Sequence, residues 1–108
     1  MEARHLPAMV EELLEDARVA PAGRAARTLS AGEGPGLRQT LLALGAGREL
    51  AEHESPGAAT LQVLRGRMRL VAGDETVDLG TGDLAPIPPT RHHLAAQDDS
   101  VVLLTVAS

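Results

Sequence analysis

GRELAEHESPGAATLQVLRG, Gly47 to Gly66, reads as two short strands hinged on the turn signal Ser55-Pro56-Gly57. Residues two apart on an extended strand share a face, so His53 and Ser55 fall on the same side of the chain. GDLAPIPPTRHH, Gly82 to His93, reads as a strand cut short by prolines and followed by two adjacent histidines. Between these stretches, Arg67–Ala72 and Glu75–Leu79 flank Gly73-Asp74, the composition of a tight hairpin.

The same punctuation extends outward. Expected strands are Ala25–Ser30, Leu37–Leu44, Glu49–His53, Thr60–Leu64, Arg67–Ala72, Glu75–Leu79, Asp83–Ile87, Arg91–Ala96 and Val101–Val106. Many short strands at near-regular spacing predict an all-β sandwich or barrel. Ahead of them, Leu6, Met9, Val10, Leu13, Leu14 and Ala17 recur at helical spacing, and Pro7 suits a first helical turn. One amphipathic helix is predicted over about residues 7–19, with Glu11, Glu12, Glu15 and Asp16 on a solvated outer face. The division expected is an N-terminal helical segment, residues 1–23, and a barrel domain, residues 24–108. Arg65, Arg67 and Arg69 are expected on one solvent-facing strand surface, opposite Leu64, Met68 and Leu70 and partly paired with Glu75 and Asp78.

Composition removes whole classes of chemistry. The 108 residues contain no Cys, so no thiolate ligand or thiol nucleophile is available. All ten basic residues are Arg, which excludes a Schiff base and a Walker-type phosphate loop. Phe, Trp and Tyr are absent, so bases and sugar rings find no stacking platform. With a net charge of −5, nucleic acid is not an expected partner. No apolar run approaches the roughly 20 residues that span a bilayer, so no membrane is expected either. Acidic residues interrupt the N-terminus where a signal peptide needs an apolar stretch, and a cytoplasmic location is expected. Ser55 lacks the G-x-S-x-G turn of a hydrolase nucleophile.

Gly47, His53 and Gly66 stand in the order and spacing of the first conserved motif of the cupin family, and Gly82 and Pro88 in those of the second. The chain therefore resembles a small single-domain cupin from about Leu37 to Val106. The resemblance implies a jelly-roll β-barrel of two antiparallel sheets, a pocket inside it, and in many members a transition metal. The first motif supplies two histidines and a glutamate as ligands, and the second supplies one histidine. Here only His53 keeps its place in the first set. Ser55 stands at the second histidine position and Ala59 at the glutamate position. For the last ligand, motif spacing points to His93, whereas sharing a face with Leu94 and Ala96 points to His92, which is preferred.

His53, Ser55, Gln62, His92 and His93 are thus the candidate pocket residues, with His53 and His92 the candidate metal ligands. Gln62, Ser55, Glu54 and His5 are candidate replacement donors. Two imidazoles fall short of the three or four protein ligands that zinc and related ions usually take. One reading is a reduced site for Zn, Fe, Mn, Ni or Cu; the other is a metal-free pocket whose histidines bond polar groups. The function expected is binding of a small, mainly apolar molecule. The alternatives are a metal-dependent enzyme of dioxygenase or isomerase type and a regulatory module. A homodimer is the expected assembly.

Overall fold

The computed structural model describes residues 3–30, 36–53 and 57–107, and the backbone alone at residues 30, 52 and 53. The described residues form one helix, α1 (Leu6–Val19), and nine strands. These are β1 (Arg24–Ser30), β2 (Leu37–Leu44), β3 (Glu49–His53), β4 (Ala58–Arg65), β5 (Arg67–Ala72), β6 (Glu75–Gly80), β7 (Leu84–Pro86), β8 (His92–Ala96) and β9 (Ser100–Ala107). Every predicted strand is present. The largest boundary shift is at β4, which gains Ala58, Ala59 and Arg65; β7 loses a residue at each end and β9 gains one at each end.

The strands form a five-stranded sheet in the order β1-β2-β9-β4-β7 and a four-stranded sheet in the order β3-β8-β5-β6, with antiparallel pairing throughout the described ladders. The chain crosses repeatedly between the sheets, as a jelly roll does. Their facing sides bury Leu42, Leu44, Leu61, Val63, Met68, Leu70, Leu94 and Val102 in one core. With no aromatic ring available, aliphatic side chains fill this space, and their burial is the main term favouring the folded state.

The helix covers part of the outer face of the five-stranded sheet. Its stripe of Val10, Leu13, Leu14 and Ala17 closes a second core over Leu41, Ala43 and Val101. Around that core its acidic residues meet sheet arginines. Arg27 pairs with Glu12 at 3.0 Å and lies 4.0 Å from Asp16, and Arg65 bonds Glu11. The hydrogen bond from Arg65, reinforced by its charge, holds the Glu11 carboxyl below its ordinary value. The expected solvated face is therefore also a ring of surface ion pairs around the docked helix.

One expected alternation fails. Leu64 packs toward the helix core, whereas Met68 and Leu70 face the interior between the sheets. Arg65 and Arg67 likewise belong to strands of different sheets. The cause is Gly66, whose φ of 90° turns the chain from one sheet to the other just after an irregularity in the β4–β9 register. A Cβ there would stand 2.3 Å from Ser100 Oγ and 2.5 Å from the Asp99 carbonyl oxygen, so only glycine fits. Ser100 is itself buried. Its hydroxyl accepts from the Arg67 N–H at 3.1 Å, within donating distance of the Asp98 carbonyl at 2.8 Å and the Arg67 carbonyl at 3.1 Å.

The arginine stripe is occupied by ion pairs. Arg67 binds Asp98 through two nitrogens, at 2.9 and 3.3 Å, and Arg69 binds Asp78 at 2.7 and 3.2 Å. These hydrogen bonds lower the carboxyl pKa values of Asp98 and Asp78 and raise those of the two guanidinium groups. Among the described residues, no helix is long and apolar enough to cross a membrane.

Candidate functional site

Strand β8 decides which histidine faces inward. Its burial alternates strictly: His92, Leu94 and Ala96 are buried, while His93 and Ala95 between them are half-exposed. Leu94 pairs with Leu70 and Ala96 with Met68, so the buried series belongs to the interior core. His92 shares that face at 2% exposure, and its Nδ1 lies 2.8 Å from the Thr90 carbonyl oxygen. A carbonyl only accepts, so Nδ1 carries the proton, and in the neutral ring Nε2 holds the lone pair.

The β3–β8 ladder places His53 opposite His92 in register. The strands that carry the two candidate ligands are thus direct neighbours, although the residues are far apart in sequence. Ser55 and Glu54 lie outside the described residues.

Other expected members of the site are elsewhere. Gln62 sits between Leu61 and Val63, which are buried in the interior core, so alternation puts it on the outer face of the five-stranded sheet. Its cross-strand partners are Leu84 and Leu103. Gln62 is close in sequence to Ala59, but the two lie an odd number of residues apart on β4 and so stand on opposite faces, which removes Gln62 from the interior donors. His93, one residue from His92, pairs with Val71 on the outer face of the four-stranded sheet and lines a cleft there. His5 is exposed at the start of the helix.

Between the sheets, Leu70, Ala72 and Val77 stand across from Ala85 and Pro86 in a cleft of about 190 Å³, to which Glu75 adds a carboxylate. At about 30 Å³ per water, this is room for about six waters, so only a small ligand fits without rearrangement.

The donor set can be compared with what a transition metal requires. Among the described residues no three His, Cys, Asp or Glu side chains come together to hold an ion. Ala59, at the position where the resemblance implies a glutamate, has no donor atom. The remaining inward residues of β8, Leu94 and Ala96, are aliphatic. The described donors therefore do not fit a full metal shell.

A family model described as the cupin domain matches residues 40–107. No curated protein matches the chain. A conserved protein of unknown function from Streptococcus pyogenes has a similar structure, with 28% identity, a TM-score of 0.72, and 82% of this chain and 77% of that one covered. KdgF from Halomonas sp. is similar at 21% identity and a TM-score of 0.69, with 82% of each chain covered. A salicylate 1,2-dioxygenase from Pseudaminobacter salicylatoxidans matches at 23% identity and a TM-score of 0.76, covering 92% of this chain but only 33% of the dioxygenase.

Proposed function

The chain belongs to the cupin family, and from that premise we propose that it binds one small, mainly apolar molecule between its two sheets, with His92 and His53 meeting the ligand's polar end. The observation that carries this reading is His92: a fully buried imidazole, oriented by Thr90, on the same inward face of β8 as the aliphatic Leu94 and Ala96 and in register with His53. Small-molecule pockets combine apolar walls with a few polar groups whose positions are fixed by the fold, and His92 on its rigid strand is such a group. The cleft formed by Leu70, Val77 and Ala85 supplies apolar wall of the same interior.

A reduced metal site on His53 and His92, with dioxygenase- or isomerase-type chemistry, is the second reading. The cross-strand register favours it, and the short donor set opposes it. Elemental analysis of untagged protein, repeated on His53→Ala, separates the two. Metal bound one per chain and lost with His53 would overturn the metal-free reading. No metal after incubation with Fe, Mn, Ni, Zn and Cu, together with small aliphatic ligands whose binding is weakened by His92→Gln, is the expected result.

The assembly that goes with this reading is a homodimer. Where the helix leaves the five-stranded sheet uncovered, the outer face presents Leu37, Gln39, Thr105, Gln62 and Leu84, none of them charged. In a chain of net charge −5, such a face is where two copies meet without like-charge repulsion.

A further inference from the structure

We propose that the small molecule held between the two sheets carries an ammonium group, and that Glu75, in the interior cleft, selects it. The inference rests on the interior-binding reading and names the chemical class of its ligand.

Strand pairing fixes where Glu75 stands. The four-stranded sheet runs β3-β8-β5-β6, and one row of residues crosses its inner face from edge to edge. His53 is opposite His92. β5 ends at Ala72, one residue beyond the Val71–His93 pair, and β8 begins at His92, so Ala72 comes level with His92. Ala72 in turn pairs with Glu75. Cross-strand partners share a face, and Glu75 has the strand parity of Leu79, which is buried in the interior core. Glu75 therefore faces away from the arginines it is expected to pair with, and Arg67 and Arg69 bind Asp98 and Asp78 instead. Among the described residues Glu75 makes no ion pair. Two strand spacings, about 10 Å, separate it from His92, and the small side chain of Ala72 leaves the floor between them open.

The lining sets the sign of the ligand's charge. Glu75 is the one charged residue among those described around this cleft of about 190 Å³. The facing wall is Ala85, Pro86 and Pro88. The prolines have no N–H, and the N–H of Ile87 between them already donates to the Ala59 carbonyl at 2.9 Å. An anion would find no donor at these three positions, whereas an ammonium brings both its donors and its charge to the carboxylate. The chain's net charge of −5 attracts the same sign of ligand. Leu70, Ala72 and Val77 give a short alkyl chain apolar surface beside Glu75, and the volume restricts the ligand to a few carbons.

The test is a titration of the isotopically labelled full chain at neutral pH with butylamine hydrochloride, 1-butanol and sodium butyrate, followed by amide chemical shifts. The expected result is saturable butylamine shifts at Ala72, Glu75 and Val77, with affinity about threefold or more above that of 1-butanol, as an exposed ion pair gives, and butyrate weakest. Glu75→Gln should bring butylamine down to the level of 1-butanol, and Glu75→Lys should put butyrate ahead of it. The same spectra report whether each variant is folded. Saturable 1-butanol binding with no preference for butylamine, or a butylamine preference that survives Glu75→Gln, would overturn the ammonium inference while interior binding stands. No saturable shift from any of the three probes in the millimolar range would overturn both.

Discussion

Gly66→Ala should be among the most damaging single-methyl additions this fold can receive, and Gly73→Ala is its internal control. Both glycines have positive φ, 90° and 59°. Both variants therefore carry the conformational cost of a side chain in the left-handed region, about 1–2 kcal/mol. They differ in what the new Cβ meets. At Gly73 nothing lies within 4 Å. At Gly66 the methyl group would stand 2.3 Å from Ser100 Oγ, 2.5 Å from the Asp99 carbonyl oxygen and 2.9 Å from Ser100 Cα. Two of those atoms are backbone and cannot swing aside. Relieving the overlap adds about 1–3 kcal/mol of overpacking, and displacing the buried Ser100 hydroxyl weakens hydrogen bonds of about 0.5–1.5 kcal/mol each. Gly73→Ala should thus cost about 1–2 kcal/mol and Gly66→Ala about 3–5 kcal/mol, a large part of the 5–15 kcal/mol typical of a whole domain. At roughly 4–8 °C per kcal/mol, Gly66→Ala should lower Tm by at least about 12 °C. Urea unfolding followed by far-ultraviolet circular dichroism is the suitable assay, since a chain without Trp, Tyr or Phe has no intrinsic fluorescence to follow. If Gly66→Ala proves no more destabilising than Gly73→Ala, the steric argument for the sheet-to-sheet turn is wrong.

Acid should destabilise the protein in a defined window. The carboxyls of Asp78, Asp98 and Glu11 are held below their ordinary values of 3.8, 3.8 and 4.5 by hydrogen bonds from Arg69, Arg67 and Arg65. Their contribution is therefore present above those values and is lost as pH falls through the lower folded ones; unfolding midpoints taken at steps of pH should be flat above about pH 5 and fall below about pH 4, and a midpoint that rises on acidification would contradict the assignment. For the assembly, light scattering should show a dimer that Leu84→Arg dissociates; a wild-type monomer at high concentration would remove the uncharged face as an interface.

Much of the fold is legible in the chain because its signals are local. Alternation and glycine or proline punctuation mark all nine strands, and an apolar stripe at helical spacing marks α1. The candidate site was legible only in part. His92 could be preferred over His93 because both sit on one strand whose neighbours Leu94 and Ala96 are aliphatic, so parity within a single element was enough. Gln62 was misplaced because closeness in sequence to Ala59 says nothing about face: one step along a strand reverses the side on which a residue stands. Leu64 was misassigned for a related reason, since the apparent alternation across residues 64–70 is broken where Gly66 passes the chain from one sheet to the other.

The element types, the glycine turns, the aliphatic interior and the lack of thiol, lysine-amine and aromatic side chains can all be read along the chain, because each depends on the residues present or on spacing within one segment. Tertiary structure alone decided that β3 and β8 are neighbours with His53 opposite His92, that Arg65 pairs with Glu11, and that Val71 and His93 share a cleft with Thr90 and Arg91. Each of these depends on how distant strands register against one another or how the helix docks. Such a register is set by the summed burial of two whole faces, and no single segment carries that information.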